Sequence, residues 1–279
     1  MKKGLVWALV ISMLLSLALF AGCSKTPAGD DTKGSTDAAV AAIKARGVLK
    51  VGVKEDVPGF GLVDTATGKY AGLEIEIAKL IAKDIFGDET KVQFTAVTAA
   101  TRGPLLDNGD IDMVIATFTI KPDRLETYNF TTPYYTDAVA MLVKKDSGIT
   151  QLTDLAGKQI GVAMSATSKA AITEAAAAVG VTLTDANFSE FATYPEIKAA
   201  LDSKRVDVFS VDGSILTGYV DDTTVILDAR FSPQEYGIAT KKQNTELATY
   251  VDNLVKGWLS DGTIDRLITD LNVVPPYEG

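Results

Sequence analysis

Apolar residues at helical spacing alternate with short β-branched runs along most of this chain. Residues 37–46 form an alanine-rich pattern stopped by Gly47, which predicts a helix, and residues 48–53 alternate and branch like a strand. The exchange continues. Strand patterns fall at 92–97, 112–117, 159–163, 188–191 and 206–212, and helical patterns at 75–86, 168–179, 195–203, 246–259 and 262–271. Such alternation predicts an α/β fold of mostly parallel sheets flanked by helices. In folds of this kind ligands sit beyond the carboxyl ends of strands, at loops and helix N-termini. The chain carries no internal repeat, Walker loop, GxGxxG or paired-cysteine motif.

The first residues break the pattern. Lys2 and Lys3 precede an apolar run from Leu5 to Phe20 and small residues up to Cys23, the layout of a secretory signal over residues 1–22. The run is short against the roughly 20 residues a bilayer-spanning helix needs. Cys23 is the single cysteine, so no intramolecular disulfide can form. Residues 19–23 (LFAGC) resemble a bacterial lipobox, which implies that Cys23 becomes the lipidated N-terminus; an ordinary cleavage site is the alternative. From Cys23 to residue 37 nothing large and apolar is available for a core, so this stretch reads as a flexible tether. The formal charge of −9 argues against electrostatic binding to nucleic acid. It also means that an acidic ligand must be drawn by local basic groups.

One stretch concentrates candidate chemistry. Residues 101–135 (TRGPLLDNGDIDMVIATFTIKPDRLETYNFTTPYY) place Arg124 just beyond a short apolar strand and beyond Thr117 and Thr119. An arginine at a strand end, with hydroxyls and loop amides nearby, suits two-pronged binding of a small carboxylate. Taken alone, K-P-D-R is equally a surface turn. Asp212 ends another apolar strand, where its carboxylate can leave the sheet to meet an ammonium or cap the next helix.

The ordered motifs GLEIEI (72–77), GDID (109–112), ATFTIKPDR (116–124), NFTTPYY (129–135), DLAGKQIGV (154–162), FSVDGSI (209–215) and EYGIAT (235–240) resemble the extracytoplasmic solute-binding proteins of polar amino-acid ABC importers. The likeness runs from about Val48 to the C-terminus. VGVKEDVPGFG (51–61), TRGPLLDNG (101–109) and FATYPEIKAALDSKRVD (191–207) are most similar to aspartate- and glutamate-binding members. The resemblance implies two α/β lobes joined by two hinge strands, with the ligand between them. Lobe 1 would span 38–137 plus 237–279, lobe 2 143–228, and the hinge passages 138–142 and 229–236.

By motif position, Arg124 would bind the ligand α-carboxylate, aided by the hydroxyl and amide of Thr119, with Thr117 alongside. Backbone amides of Ser165, Ala166 and Thr167, ahead of a helix, would add donors. Many relatives have Gly-Thr-Thr there. Asp212 would take the α-ammonium. Lys54 and Arg102, on loops after lobe 1 strands, and Tyr194 from lobe 2 would hold a second carboxylate; each is otherwise an ordinary solvated or helix-start residue. Small residues at 98–100, where other binders put an aromatic platform, fit a pocket built on charge. Phe60 reads as a pocket wall or core. Glu74 and Glu76 read as solvated residues that suit the positive start of the following helix.

The resemblance thus implies a monomeric, lipid-anchored receptor for L-aspartate or L-glutamate that docks on an ABC permease, with no cofactor, metal or catalytic residue. Cyclohexadienyl dehydratase-like activity on the same fold, or binding of another polar amino acid, is the alternative. The absence of histidine removes histidine-based triads and histidine metal sites.

Overall fold

The computed structural model describes residues 36–279. The signal, Cys23 and nearly all of the tether lie outside the described residues.

The chain begins with α1 (Thr36–Arg46) and enters a first sheet through β1 (Leu49–Val53), whose Leu49, Val51 and Val53 are fully buried. A small antiparallel sheet follows: β2 (Asp56–Val57), β3 (Gly61–Val63) and β4 (Tyr70–Ala71). Next come α2 (Leu73–Phe86), β5 (Val92–Ala96), α3 (Arg102–Asn108), β6 (Met113–Ile115), α4 (Pro122–Thr127) and β7 (Tyr128–Phe130). The chain then crosses on β8 (Tyr135–Lys144) into a second sheet with β9 (Ile160–Ala163), α5 (Ser168–Ala178), β10 (Phe188–Phe191) and α6 (Tyr194–Asp202). It continues through β11 (Val208–Asp212), the short α7 (Gly213–Leu216) and β12 (Thr224–Ile226). β13 (Phe231–Tyr236) returns to the first sheet, completed by β14 (Ala239–Lys241) and covered by α8 (Thr245–Ser260) and α9 (Thr263–Asp270).

The first sheet has strand order β5-β1-β6-β14-β7, and the second β10-β9-β11-β8-β12 with β13 on β8. Each has a parallel heart, β5-β1-β6 and β10-β9-β11. Strands that reach it by other routes run antiparallel: β14 against β6 and β7, and β8 against β11, β12 and β13. The mostly parallel, helix-covered, two-lobed architecture is therefore the one expected, with antiparallel strands where the chain changes lobe.

Residues 139–143 pair along their length with β11. Most of the passage expected to act as a hinge, 138–142, is thus inside the second sheet. β8 and β13 pair at Tyr135–Tyr236, and the register shifts between Phe231 and Pro233, where Ser232 adopts φ 51°. The C-terminal segment packs back on this crossing, with Tyr277 N–H donating to Thr136 O at 2.8 Å and Tyr135 Oη to Val274 O at 2.7 Å.

The lobes touch. A Cβ on Gly218, beyond α7, would lie 2.6 Å from Pro58 Cγ of the first lobe, so glycine permits the approach. Gly72, before α2, has φ 127°, and a Cβ there would overlap the Phe60 carbonyl. Replacing Gly72 with alanine is expected to destabilise the protein by at least about 2 kcal/mol, because the strained dihedral and the backbone clash add. Chemical denaturation of Gly72→Ala checks this, and an unchanged midpoint would contradict it.

Candidate functional site

Every parallel strand ends at a candidate ligand residue or at the turn that leads to one. β1 delivers Lys54, β5 leads into the turn before Arg102, and β6 leads to Thr117 and Thr119. In the second lobe β9 leads to Ser165–Thr167, β10 to Tyr194, and β11 ends on Asp212. The strand ends of the two sheets meet in the cleft between the lobes, where Arg124 Nη2 reaches Ser165 O at 3.3 Å and Lys54 Nζ lies 4.6 Å from the Tyr194 ring centre.

Arg102 is not on a loop as expected; it opens α3 and is 4% exposed. Its Nη1 donates to Ala116 O at 2.7 Å and to Thr117 O at 3.1 Å, while Nε has no partner among the described residues. Arg124 likewise belongs to a helix, α4, which Pro122 starts. Its Nη1 donates to Thr119 O at 2.9 Å and its Nη2 to Ser165 O at 3.3 Å, across the cleft. Neither arginine forms an ion pair with any described residue. Both instead lie against the Phe118 ring, 3.9 Å and 4.8 Å from its centroid. Cation–π contact partly compensates two guanidiniums removed from water. Burial, then Arg102, lowers the Arg124 pKa to about 10, so the group stays cationic at neutral pH. Burial also lowers that of Arg102.

Lys54 differs. It is 2% exposed, its Nζ is 3.0 Å from Asp56 Oδ1, and the ammonium lies 4.6 Å from the centre of the Tyr194 ring. Burial pulls its pKa down and Asp56 opposes this. The lysine expected to offer charge to a ligand thus has a counter-ion within the protein. Tyr194 is buried at the start of α6, where its N–H donates to Asp56 Oδ2 at 3.4 Å.

Asp212 occupies the position before α7 but makes no side-chain cap. Its Oδ2 accepts the Tyr236 hydroxyl at 2.5 Å, and its Oδ1 is buried without a partner among the described residues. Burial, then Asp137, pushes its pKa up to about 7 against the pull of Tyr236, Arg102 and Arg124.

The threonines behave differently from expectation. The Thr119 hydroxyl donates to Gln234 Oε1 at 2.9 Å, and the Thr167 hydroxyl donates to the same oxygen at 2.8 Å. One carbonyl on β13 therefore holds a hydroxyl from each lobe, and the Thr119 proton is not available to a carboxylate. Thr167 uses its hydroxyl on Gln234 rather than to cap α5. Ala166 N–H is spent on Ala163 O, leaving Ser165, Thr167 and the first amides of α5 as donors. Thr117 and Ser165 carry positive φ, 43° and 61°, in the left-handed region that non-glycine residues seldom adopt and that clusters at functional sites.

Glu74 is not solvated. It is fully buried, and its Oε1 accepts Thr117 N–H at 2.5 Å and the Tyr134 hydroxyl at 2.6 Å. Burial raises its pKa. It fixes the strained Thr117 backbone rather than the helix start. Glu76 does behave as a helix-face residue, 2.7 Å from Lys79 Nζ. Phe60 is core, 1% exposed, with its ring edge-on to Tyr135 at 4.9 Å.

Phe118, Asp56, Asp137, Gln234 and Tyr236 belong to the cleft, yet their residue types gave no local sign of it. Asp56, Phe118 and Tyr236 did lie inside the motifs quoted above, which was the available signal.

Strand ends from the two lobes thus bring together two arginines, a half-satisfied aspartate and two hydroxyls on one Gln234 carbonyl. The chain belongs to the bacterial extracellular solute-binding proteins, family 3, whose model matches residues 49–270. It is 37% identical to the ABC transporter glutamine-binding protein GlnH of Bacillus subtilis, over 96% of each chain. It is also 30% identical to the glutamate-binding protein GluB of Corynebacterium glutamicum, covering 93% of this chain and 89% of that one. Among solved structures, the cysteine-binding protein of Campylobacter jejuni superposes with TM-score 0.73 at 32% identity, covering 84% and 92% of the two chains. An ancestral amino acid-binding protein described as a precursor of cyclohexadienyl dehydratase gives 0.71 at 30%, covering 83% and 98%. The protein is thus an extracytoplasmic amino-acid-binding component of an ABC transport system.

Proposed function

We propose that the ligand is an acidic amino acid, L-glutamate or L-aspartate, enclosed between the lobes and handed to the importer's permease. One observation carries the reading: among the described residues neither guanidinium forms an ion pair, and Asp212 Oδ1, at the end of β11, is a buried carboxylate oxygen without a partner, as is Glu74 Oε2. A buried, unpaired charge is costly, and its natural compensation is an opposite charge brought by the ligand. Two carboxylates and one ammonium match that set. Arg124, with backbone donors from Ser165, Thr167 and Ser168, takes the α-carboxylate, Asp212 Oδ1 the α-ammonium, and Arg102 the side-chain carboxylate. Lys54 and Tyr194 shape the distal wall as an Asp56-neutralised unit. Closure bends the chain where β8 and β13 meet, near residues 135–138 and 232–236, with Gln234 latching both lobes. A lipobox-like Cys23 supports tethering of a monomer to the membrane.

Glutamine is the second reading, favoured by the GlnH relationship. A neutral amide places a carbonyl rather than an anion on Arg102. A catalytic reading has less support, since the named relatives are transport receptors. A thermal-shift screen separates these: a ligand at 100 times its Kd stabilises the folded state by about 2.7 kcal/mol. L-Glutamate or L-aspartate is expected to raise Tm more than L-glutamine at equal concentration. A larger rise with L-glutamine would reverse the assignment.

A further inference from the structure

Two buried carboxylates share one phenol at the crossing of the lobes. Tyr236 Oη lies 2.5 Å from Asp212 Oδ2 and 3.2 Å from Asp137 Oδ2. A phenol has one proton and cannot serve two anions at once. Asp137 does not depend on it: Ala138 N–H donates to Asp137 at 2.7 Å, Ser214 N–H at 3.1 Å, and the Ser214 hydroxyl makes a further short bond. Among the described residues Asp212 has the phenol as its one side-chain hydrogen-bond partner, and its Oδ1 stays unpartnered. A second negative charge at this place is therefore uncompensated until a ligand ammonium arrives, and the oxygen best placed to hold a proton is Asp212 Oδ1. Protonation there disturbs nothing, since Oδ2 still accepts from Tyr236.

The charged and titratable groups facing Asp212 are Arg102 and Arg124 from α3 and α4, Tyr194 from α6, Asp137 and Tyr135 from β8, and Tyr236 from β13. The two arginines favour the anion but are drawn to the ligand's own carboxylates. The tyrosines are neutral, their pKa raised by burial.

We infer that Asp137, acting across Tyr236, tunes Asp212 so that the empty receptor holds a proton which the ligand's α-ammonium expels, making amino-acid binding proton-linked. The step balances simply: the Asp212 O–H bond breaks heterolytically, its proton passes to water, and the carboxylate pairs with the incoming ammonium. Burial and the neighbouring Asp137 charge place this exchange close to neutrality. The group's proton affinity is high without ligand and lower with it, so binding weakens as pH falls. The inference rests on the amino-acid reading but is indifferent to acid against amide, since both carry the ammonium.

Calorimetric titration of L-glutamate and L-glutamine between pH 5.5 and 8.5, in buffers of different ionisation enthalpy, counts the protons released. Free carboxylates and α-ammonium of these ligands keep their charge across most of this range. Wild type is expected to release close to one proton at pH 6 and few above pH 8, with affinity falling about tenfold per pH unit on the acid side. Asp137→Asn is expected to release fewer protons at pH 6 by lowering the midpoint. Tyr236→Phe, which removes the donor to Asp212, is expected to raise the midpoint and extend release to higher pH. Tight binding without proton release in wild type would overturn the inference and leave the receptor assignment standing. Release unchanged in both variants would overturn the role of Asp137 and Tyr236. Failure of both ligands to bind folded wild type would remove the amino-acid reading and the inference with it.

Discussion

Arg124→Ala is expected to weaken binding of every amino acid by roughly 10²- to 10³-fold while leaving the fold intact. The guanidinium holds Thr119 O and reaches Ser165 O across the cleft, so it serves both the ligand carboxylate and closure of the lobes. Truncating one partner of a buried, hydrogen-bonded charge pair costs about 2–5 kcal/mol. The residue is half-buried at the start of a short helix and contributes little core, so the variant should melt near wild type in the absence of ligand. Calorimetry with L-glutamate and L-glutamine checks both ligands. Losses under tenfold for both would take Arg124 out of the carboxylate role.

Arg102→Met is expected to act selectively, lowering affinity for L-glutamate by about 10²-fold and for L-glutamine by less than tenfold. Methionine keeps a flexible apolar stem against Phe118 but removes the charge. With arginine present, the ligand's second carboxylate meets a guanidinium whose hydrogen bonds among the described residues go only to the Ala116 and Thr117 carbonyls. Without it, that carboxylate is buried with Lys54, whose charge Asp56 already balances. An uncompensated buried carboxylate is far costlier than an amide in the same place. Equal losses for the two ligands, measured by the same titrations, would assign Arg102 to general scaffolding.

The periodic segments were legible in the sequence because they are long and one-sided. The pattern at 75–86 became α2, that at 246–259 became α8, and the run at 188–191 became β10, with ends moved by a residue or two. α3 and α4 were not legible: they are short, and Gly103, Pro104 and Pro122 read locally as turn. The hairpin of β2, β3 and β4 was too short to show alternation. Strand-end residues such as Lys54 and Asp212 could be proposed because position at the end of an apolar run is a local property. Their partners could not. Gln234 meets Thr119 across 115 residues and Glu74 meets the Thr117 amide across 43, and no local rule reaches that far. The misreading of Glu74 has this cause: helix-start acids usually face water, and only the packed lobe buries this one.

Calorimetric comparison of L-glutamate with L-glutamine, on folded protein stripped of bound amino acid at pH 7.5, tests the central claim most directly. A site whose two guanidiniums form no ion pair with a described residue, and whose Asp212 Oδ1 has no partner among them, predicts that L-glutamate binds at least about tenfold tighter than L-glutamine, a difference of about 1.4 kcal/mol. Tighter binding of L-glutamine would contradict it.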